Sequence, residues 1–185
     1  MSLIPEVSGP SPECPHPERW SCEDGYSSES ETVEFLEALV RLMKPKVIVE
    51  TGSYLGFATY HLARPQIGTV FTAELNLEYL KEALNRCCGF DNVKGYCLGG
   101  DHLIENMKLP IDLAFLDSGV DESRVNEMKA LKGKLSPGAI VLVHDTNTVE
   151  HLGHRLRIFA AAEELGYGRI QFNTPRGLTM MQERF

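Results

Sequence analysis

Short apolar runs alternate with segments of helical periodicity along most of the chain. The first helical segment places apolar residues from Phe35 to Met43 on one face, and Pro45 ends it, because the residue before a proline is pushed out of the helical region. Ser28 and Glu31 have the spacing of a capping box. The pattern therefore predicts a helix that begins near Ser28 and ends before Pro45.

Five apolar runs follow, and each predicts a buried strand: 47–50, 69–74, 93–98, 111–116 and 139–143. Predicted helices lie between or after them: 57–63, 76–88 with Asn76 as its cap, 102–107, 122–131 and 149–165. The segment Ser136–Gly138 predicts a turn into the fifth strand. Strands that are apolar on both faces and alternate with helices are typical of a parallel sheet that is covered on both sides.

Two further strands are predicted at 168–172 and 178–182. The turn between them is too short for a helical crossover, so they must pair antiparallel. We therefore expect an α/β fold with a Rossmann-like, doubly wound sheet of about seven strands. Five strands would be parallel, a C-terminal hairpin would be antiparallel, and helices would cover both faces.

The first 28 residues differ from the rest, since they carry five prolines and few apolar residues. This composition predicts an extended N-terminal arm or flap over 1–28. Residues 29–185 then form one domain, which fits the length of the chain.

Composition narrows the class of partner. The formal net charge is −8 and the 18 basic residues are scattered, which disfavours nucleic acid as a partner. No segment resembles a signal peptide or a membrane span, and the five cysteines form no CxxC pair. We therefore expect a cytoplasmic protein with reduced thiols and without a membrane partner. No self-complementary feature favours a homo-oligomer or a monomer.

Carboxylates mark the predicted carboxyl ends of the strands, where ligands bind in doubly wound sheets. These residues are Glu50, Glu74, Asp101, Asp117 and Asp145. Glu74 lies 24 residues after Glu50 and can accept both hydroxyls of a ribose. Asp101 would lie further along the same ligand, near the base, or would instead cap the next helix.

The turn after the first strand has the pattern E-x-G-x-x-x-G, from Glu50 to Gly56. Gly52 has no side chain, so a ligand can approach its backbone closely, and Gly56 would let the next helix pack tightly on the sheet. Ser53 and Tyr54 lie between them. Tyr54 stands where the dinucleotide motif has a second glycine, which favours a nucleotide-type cofactor without a pyrophosphate. The alternative is a turn whose glycines serve geometry alone.

Segment 47–57 resembles motif I of the class I S-adenosylmethionine-dependent methyltransferases, in particular the catechol O-methyltransferase-like branch with its E-x-G-x-Y-x-G loop. Segment 111–117 resembles the fourth-strand motif of that branch, and 135–146 is similar to the fifth strand of macrolide sugar O-methyltransferases. The resemblance spans about 32–182. It implies S-adenosyl-L-methionine as cofactor and methyl transfer to a small molecule, at oxygen.

The resemblance also implies roles for single residues. Gly52 would contact the methionine part of the cofactor, Glu74 the ribose and Asp101 the adenine side. The complete predicted cofactor set is Glu50, Gly52, Ser53, Tyr54, Gly56, Glu74, Asp101 and Asp117.

Relatives bind a divalent metal, which would be Mg²⁺, through residues that correspond to Asp117 and Asp145. Thr146 stands where a third ligand is expected, and Val120 stands where the catechol enzymes have a lysine. Both a metal-dependent and a metal-free site therefore stay open. Without the lysine, His144 is the candidate base, beside Asp117 as a second catalytic residue. Arg176, in the last turn, would bind an anionic substrate group or lie on the surface.

Two other functions stay open. A NAD(P)-binding oxidoreductase would use the same sheet edge, although Tyr54 argues against it. A non-catalytic adenosylmethionine-binding module is motivated by Val120 and Thr146, which depart from the pattern of the methyltransferases.

Overall fold

The computed structural model describes residues 14–20, 26–119, 122–147 and 152–184. A 3₁₀ helix covers Pro17–Trp20. The α-helices are α1 (Ser30–Met43), α2 (Phe57–Ala63), α3 (Leu77–Arg86), α4 (Gly100–Asn106), α5 (Ser123–Ala130) and α6 (Leu152–Glu164). The strands are β1 (Val47–Thr51), β2 (Thr69–Ala73), β3 (Val93–Tyr96), β4 (Ile111–Leu116), β5 (Leu135–His144), β6 (Tyr167–Phe172) and β7 (Leu178–Glu183).

The seven strands form one sheet in the order β3-β2-β1-β4-β5-β7-β6. Strands β1 to β5 are parallel, and β7 is antiparallel to both β5 and β6. The predicted doubly wound fold with its C-terminal hairpin is confirmed. Chain order reverses between β1 and β4, so the carboxyl ends of these two strands border the crevice where such sheets bind ligands.

Two apolar layers cover the sheet, and β1 contributes to both because successive strand residues point to opposite faces. Val49 packs in the layer that includes Ile104, from α4, and Met128, from α5. Ile48 packs in the other layer, with Leu36 from α1 and Leu62 from α2. We call these the α4–α6 layer and the α1–α2 layer.

Two local predictions are wrong. Helix α1 begins at Ser30 without a side-chain cap, and the Ser28 hydroxyl donates instead to Asp117 Oδ2 over 2.7 Å. Ser136–Gly138 lies inside β5, where the register with β4 shifts between the pairs Ile111–Leu135 and Leu113–Ile140. The predicted cap is confirmed at Asn76, whose side chain accepts from the amides of the first turn of α3.

The described part of the chain contains no helix long and apolar enough to cross a membrane. Most of the predicted arm, at 1–13 and 21–25, lies outside the described residues, as does the predicted start of α6 at 149–151. The division between arm and domain at residue 28 stays a prediction. Within the described segment, Ser27, Ser28 and Glu29 are buried against the sheet edge.

Candidate functional site

A cavity of about 470 Å³ opens at the carboxyl ends of β1 to β4. Its lining includes three acids, Glu74, Asp101 and Glu127, and no lysine or arginine among the described residues. Gly52 and Ser118 form its wall on the side of β1 and β4. The structure thus brings together Gly52, Glu74 and Asp101, which the sequence predicted to share one ligand.

Gly52 is held against the neighbouring strand end. Its φ is +77°, and a Cβ atom there would lie 2.6 Å from the carbonyl oxygen of Asp117. The amides of Gly52 and Ser53 donate to Ala73 O over 2.8 and 3.2 Å, which joins the turn to the end of β2. The hydroxyl of Ser53 is buried and has no hydrogen-bond partner among the described residues. The turn therefore presents a fixed backbone and an unsatisfied polar atom.

Glu74 is positioned by two backbone amides. Its Oε2 accepts from Tyr54 N over 3.0 Å and its Oε1 accepts from Asn76 N over 2.9 Å. Tyr54, which donates this bond, has a left-handed φ of 47°. Gly56 precedes α2, whose residues Ala58 and Leu62 pack on the sheet, and it also lies against α3. At its φ of +83°, a Cβ atom would lie 2.5 Å from the Cα of Ala83 in α3.

Asp101 lines the cavity from the first turn of α4. The alternative of a helix cap is wrong, since the N-cap of α4 is Gly99 and makes no side-chain bond. Asp101 Oδ1 accepts from the adjacent amide of His102 over 2.8 Å.

Glu50 is fully buried on the face of the sheet that α1 and α2 cover. It is not among the described residues that line the cavity. The Thr59 hydroxyl donates to Glu50 Oε2 over 2.6 Å. Burial raises the pKa of Glu50 to about 7, against the smaller effect of its hydrogen bonds. The carboxyl of Glu50 therefore keeps its proton below about pH 7. Its predicted contact with a cofactor stays a prediction.

Glu127 is a cavity residue that the sequence analysis missed. It is buried in α5, and the Thr51 hydroxyl donates to its Oε2 over 2.9 Å. Burial raises the pKa of Glu127 to about 7. Its spacing in the sequence could have indicated that it is buried. It belongs to an i, i+3, i+4, i+7 series that is typical of a buried helix face: Arg124, Glu127, Met128 and Leu131.

A second group of charged residues lies at the ends of β4 and β5; we call it the β4–β5 cluster. Asp117, His144 and Asp145 offer ligand atoms that all lie within 4.8 Å of one another, and two of these residues, Asp117 and Asp145, are the predicted metal ligands. Arg124 is only 1% exposed, and its Nη2 lies 3.1 Å from Asp117 Oδ1 and 3.2 Å from Asp145 Oδ2. An arginine thus bridges the two carboxylates.

His144 has carboxylates at both ring nitrogens. Nδ1 lies 3.0 Å from Asp117 Oδ1 and Nε2 lies 2.7 Å from Glu29 Oε2. Burial acts to lower the pKa of His144, but the carboxylates of Asp117, Asp145 and Glu29 outweigh it and raise that pKa well above its ordinary value. Burial likewise acts to raise the pKa of Glu29, yet His144 and Arg176 bring it down to about 2. This arrangement favours a structural ion pair over the predicted base.

Arg176 is 7% exposed, so the alternative of a surface arginine is wrong. Its Nε lies 2.8 Å from Asp145 Oδ1, and its Nη1 donates to the carbonyls of Tyr26 and Ser27 over 3.3 and 3.1 Å. Arg176 therefore ties the segment before α1 to the β4–β5 cluster.

No protein-family model matches the sequence, and no curated protein matches it. Solved structures do match the fold. A methyltransferase from Podospora anserina, solved with S-adenosylhomocysteine, is 16% identical, with 91% of this chain and 87% of that chain covered and a TM-score of 0.75. An O-methyltransferase from Streptomyces achromogenes involved in tomaymycin synthesis, solved with S-adenosylmethionine, is 19% identical, with coverage of 87% and 83% and a TM-score of 0.73.

The same fold occurs in an rRNA methylase from Streptococcus thermophilus, which is 16% identical, with coverage of 84% and 95% and a TM-score of 0.67. These likenesses confirm the predicted Rossmann-like methyltransferase fold. Because they include enzymes with different kinds of acceptor in their names, the choice of acceptor has to come from the residues of the site.

Proposed function

We propose that this protein is an S-adenosyl-L-methionine-dependent methyltransferase that acts on a small molecule at oxygen. The observation that carries the proposal is the acid-lined cavity at the carboxyl ends of β1 to β4, with no lysine or arginine among its described lining residues. Adenosylmethionine has two cationic groups and one carboxylate, so this lining attracts it. The pyrophosphate of NAD(P) would meet Glu74, Asp101 and Glu127 without a basic partner, which disfavours the oxidoreductase alternative.

Residues of the chain fit the parts of such a cofactor. The Glu74 carboxylate, fixed by two backbone amides, suits the ribose hydroxyls, and Asp101 suits the exocyclic amine of adenine. Gly52 and the unsatisfied hydroxyl of Ser53 suit the methionine end. The bound cofactor would supply an electrophilic methyl group on its sulfonium. The protein would contribute chiefly by holding donor and acceptor in line.

A small-molecule acceptor is favoured over nucleic acid. The chain carries a net charge of −8, and acids line the cavity, whereas nucleic-acid binding relies on clustered lysine and arginine at the phosphates. We expect the protein to act in the cytoplasm and without a membrane partner. A homo-oligomer is neither favoured nor disfavoured by the described surface.

One observation favours the second candidate, a non-catalytic module that binds adenosylmethionine. Both ring nitrogens of His144 are engaged by carboxylates, so the base that the sequence predicted is paired within the fold. This candidate shares the cofactor site with the first and differs only in the transfer step.

Isothermal titration calorimetry with S-adenosylhomocysteine tests the cofactor site. We expect Glu74→Ala to weaken binding at least about tenfold, since the loss of a charged acceptor of two hydroxyl bonds costs on the order of 1.5 kcal/mol or more. Glu78→Ala is the matched control, because Glu78 is an exposed acid of the neighbouring helix α3 that pairs with Lys81. Equal affinity in wild type and Glu74→Ala, or tighter binding of NADH, would refute the proposal.

Methyl transfer is measured separately, with radiolabelled adenosylmethionine and a panel of small hydroxyl compounds. Transfer to any acceptor supports the enzyme. Tight binding of the cofactor without transfer to the panel supports the non-catalytic module.

A further inference from the structure

A guanidinium group lies where the predicted metal ion would have to bind. The Arg124 Nη2 atom stands between Asp117 Oδ1 and Asp145 Oδ2, at 3.1 and 3.2 Å. We propose that Arg124 takes the place of a divalent metal in the β4–β5 cluster, which is held together by this internal cation and binds no metal. The inference concerns metal binding alone and does not depend on the proposed methyl transfer.

Arg124 is anchored in this position by the strand ends themselves. Its Nε donates to the Ser118 carbonyl over 2.8 Å, and its Nη1 donates to the carbonyl of His144. The side chain is 2% exposed, so there is little room for it to swing out and admit an ion. Because a guanidinium stays charged at all accessible pH values, the position is permanently occupied by a cation.

Charge balance in the cluster also opposes a divalent ion. The two negative charges of Asp117 and Asp145 are balanced by Arg124 and Arg176. The ion pair of Glu29 with His144 adds one charge of each sign and leaves this balance unchanged. A bound Mg²⁺ would add two uncompensated positive charges to a buried neutral group. Desolvating an ion without such compensation is strongly unfavourable.

The residues that could supply a third ligand have other partners. Both ring nitrogens of His144 already lie by carboxylates, those of Asp117 and Glu29. Thr146 is fully buried, and its Oγ1 accepts from the Thr179 hydroxyl over 2.8 Å. The side-chain oxygen of Asn147 accepts from Arg155 over 2.5 Å, and its amide donates to Asn173 over 3.3 Å. An ion in the cluster would therefore have the carboxylates of Asp117 and Asp145 as its protein ligands and would complete its octahedron with water, so Arg124 is the group that decides whether it can bind.

Mn²⁺ binding, followed by electron paramagnetic resonance on the ligand-free protein, tests the proposal. We expect wild type to bind no Mn²⁺ at the β4–β5 cluster. Arg124→Met removes the cation at similar volume and should bind Mn²⁺ at least about tenfold more tightly than wild type. Arg124→Lys keeps a positive charge and is the control that should show no gain. The double variant Asp117→Asn/Arg124→Met should lose the gain, which locates the ion.

Two results would overturn the proposal. One is Mn²⁺ binding by wild type that Asp117→Asn abolishes, because the ion would then reach the cluster with Arg124 in place. The other is a folded Arg124→Met protein without any gain. If Arg124→Met does not fold, Arg124→Gln takes its part, since an amide can still donate to the carbonyls of Ser118 and His144. The measurement of Mn²⁺ binding by wild type does not depend on whether the Arg124 variants fold.

Discussion

Glu50→Gln is the change that most directly tests the electrostatics of the sheet edge at the carboxyl ends of the parallel strands. Glu50 is fully buried at the end of β1, where the Thr59 hydroxyl donates to it over 2.6 Å. Glutamine has nearly the same shape, and its carbonyl oxygen can accept the same bond. The substitution therefore removes the titration of this carboxyl and leaves the packing largely intact.

The expected effect follows from the raised pKa. In the folded protein the pKa of Glu50 is about 7, against an ordinary 4.5, so the carboxyl keeps its proton on folding and releases it on unfolding between these pH values. The stability that this group contributes is fully present below pH 4.5 and is lost as the pH rises through about 7. A difference of about 2.5 pH units, at about 1.4 kcal/mol per unit, gives about 3 kcal/mol.

The assay is urea unfolding followed by circular dichroism, for wild type and Glu50→Gln, at a series of pH values between about 4 and 8. We expect the free energy of unfolding of wild type to fall, relative to that of Glu50→Gln, by about 3 kcal/mol from the lowest to the highest pH of this series. Glu127, whose pKa is also raised to about 7, is present in both proteins, so its contribution cancels in the comparison. Parallel pH profiles of the two proteins would refute the assignment of a protonated Glu50.

Two further substitutions test the site. Gly52→Ala should cost at least about 1–2 kcal/mol of stability and abolish S-adenosylhomocysteine binding, because φ is +77° and the new Cβ would lie 2.6 Å from the Asp117 carbonyl; unchanged binding in calorimetry would contradict this. His144→Leu should cost about 3–5 kcal/mol in urea unfolding at neutral pH, since the buried Glu29 and its neighbour Asp117 would both lose the cation that lies between them. Adding Glu29→Gln should recover much of that loss, and strictly additive losses would contradict the pair. The pKa of His144 is raised, so the stability that the pair contributes should be lost as the pH rises through that pKa. The pKa of Glu29 is lowered to about 2, so the same stability should be lost as the pH falls toward 2.

The fold was predictable because its strands are apolar on both faces and alternate with helices. The bounds of α2 and β4 agree with the prediction, since each is flanked by a glycine, a proline or a charged residue that ends the pattern. Ser28 was misassigned because its partner, Asp117, is 89 residues away and a local motif cannot show it. Ser136–Gly138 was misassigned because turn residues also occur in an irregular strand, and only the pairing with β4 separates the two.

The site was predictable where it depends on strand ends. Parallel strands bring their carboxyl ends to one edge, so Glu74, Asp101 and Asp117 had to lie near each other. A position at a strand end does not by itself place a side chain in the cavity, because successive residues point to opposite faces of the sheet. Glu50 lies on the same face as Ile48 and points toward α2, whereas Thr51 points toward Glu127 in α5. The role of Arg124 could not be predicted in the same way, because it depends on which charges a helix face buries.

The two halves of this sheet edge differ in how their charges are balanced, and the difference limits the chemistry of the acceptor. The cavity holds acids without lysine or arginine among its described lining, so it needs a cationic ligand, whereas the carboxylates of the β4–β5 cluster are already paired with Arg124, Arg176 and His144. Such a cluster can position an acceptor but has little capacity to take its proton. A hydroxyl that ionises readily, as in a phenol, needs the least help of this kind. Panels for the transfer assay should therefore be weighted toward acidic hydroxyls, and preferential transfer to simple alcohols would contradict this account of the cluster.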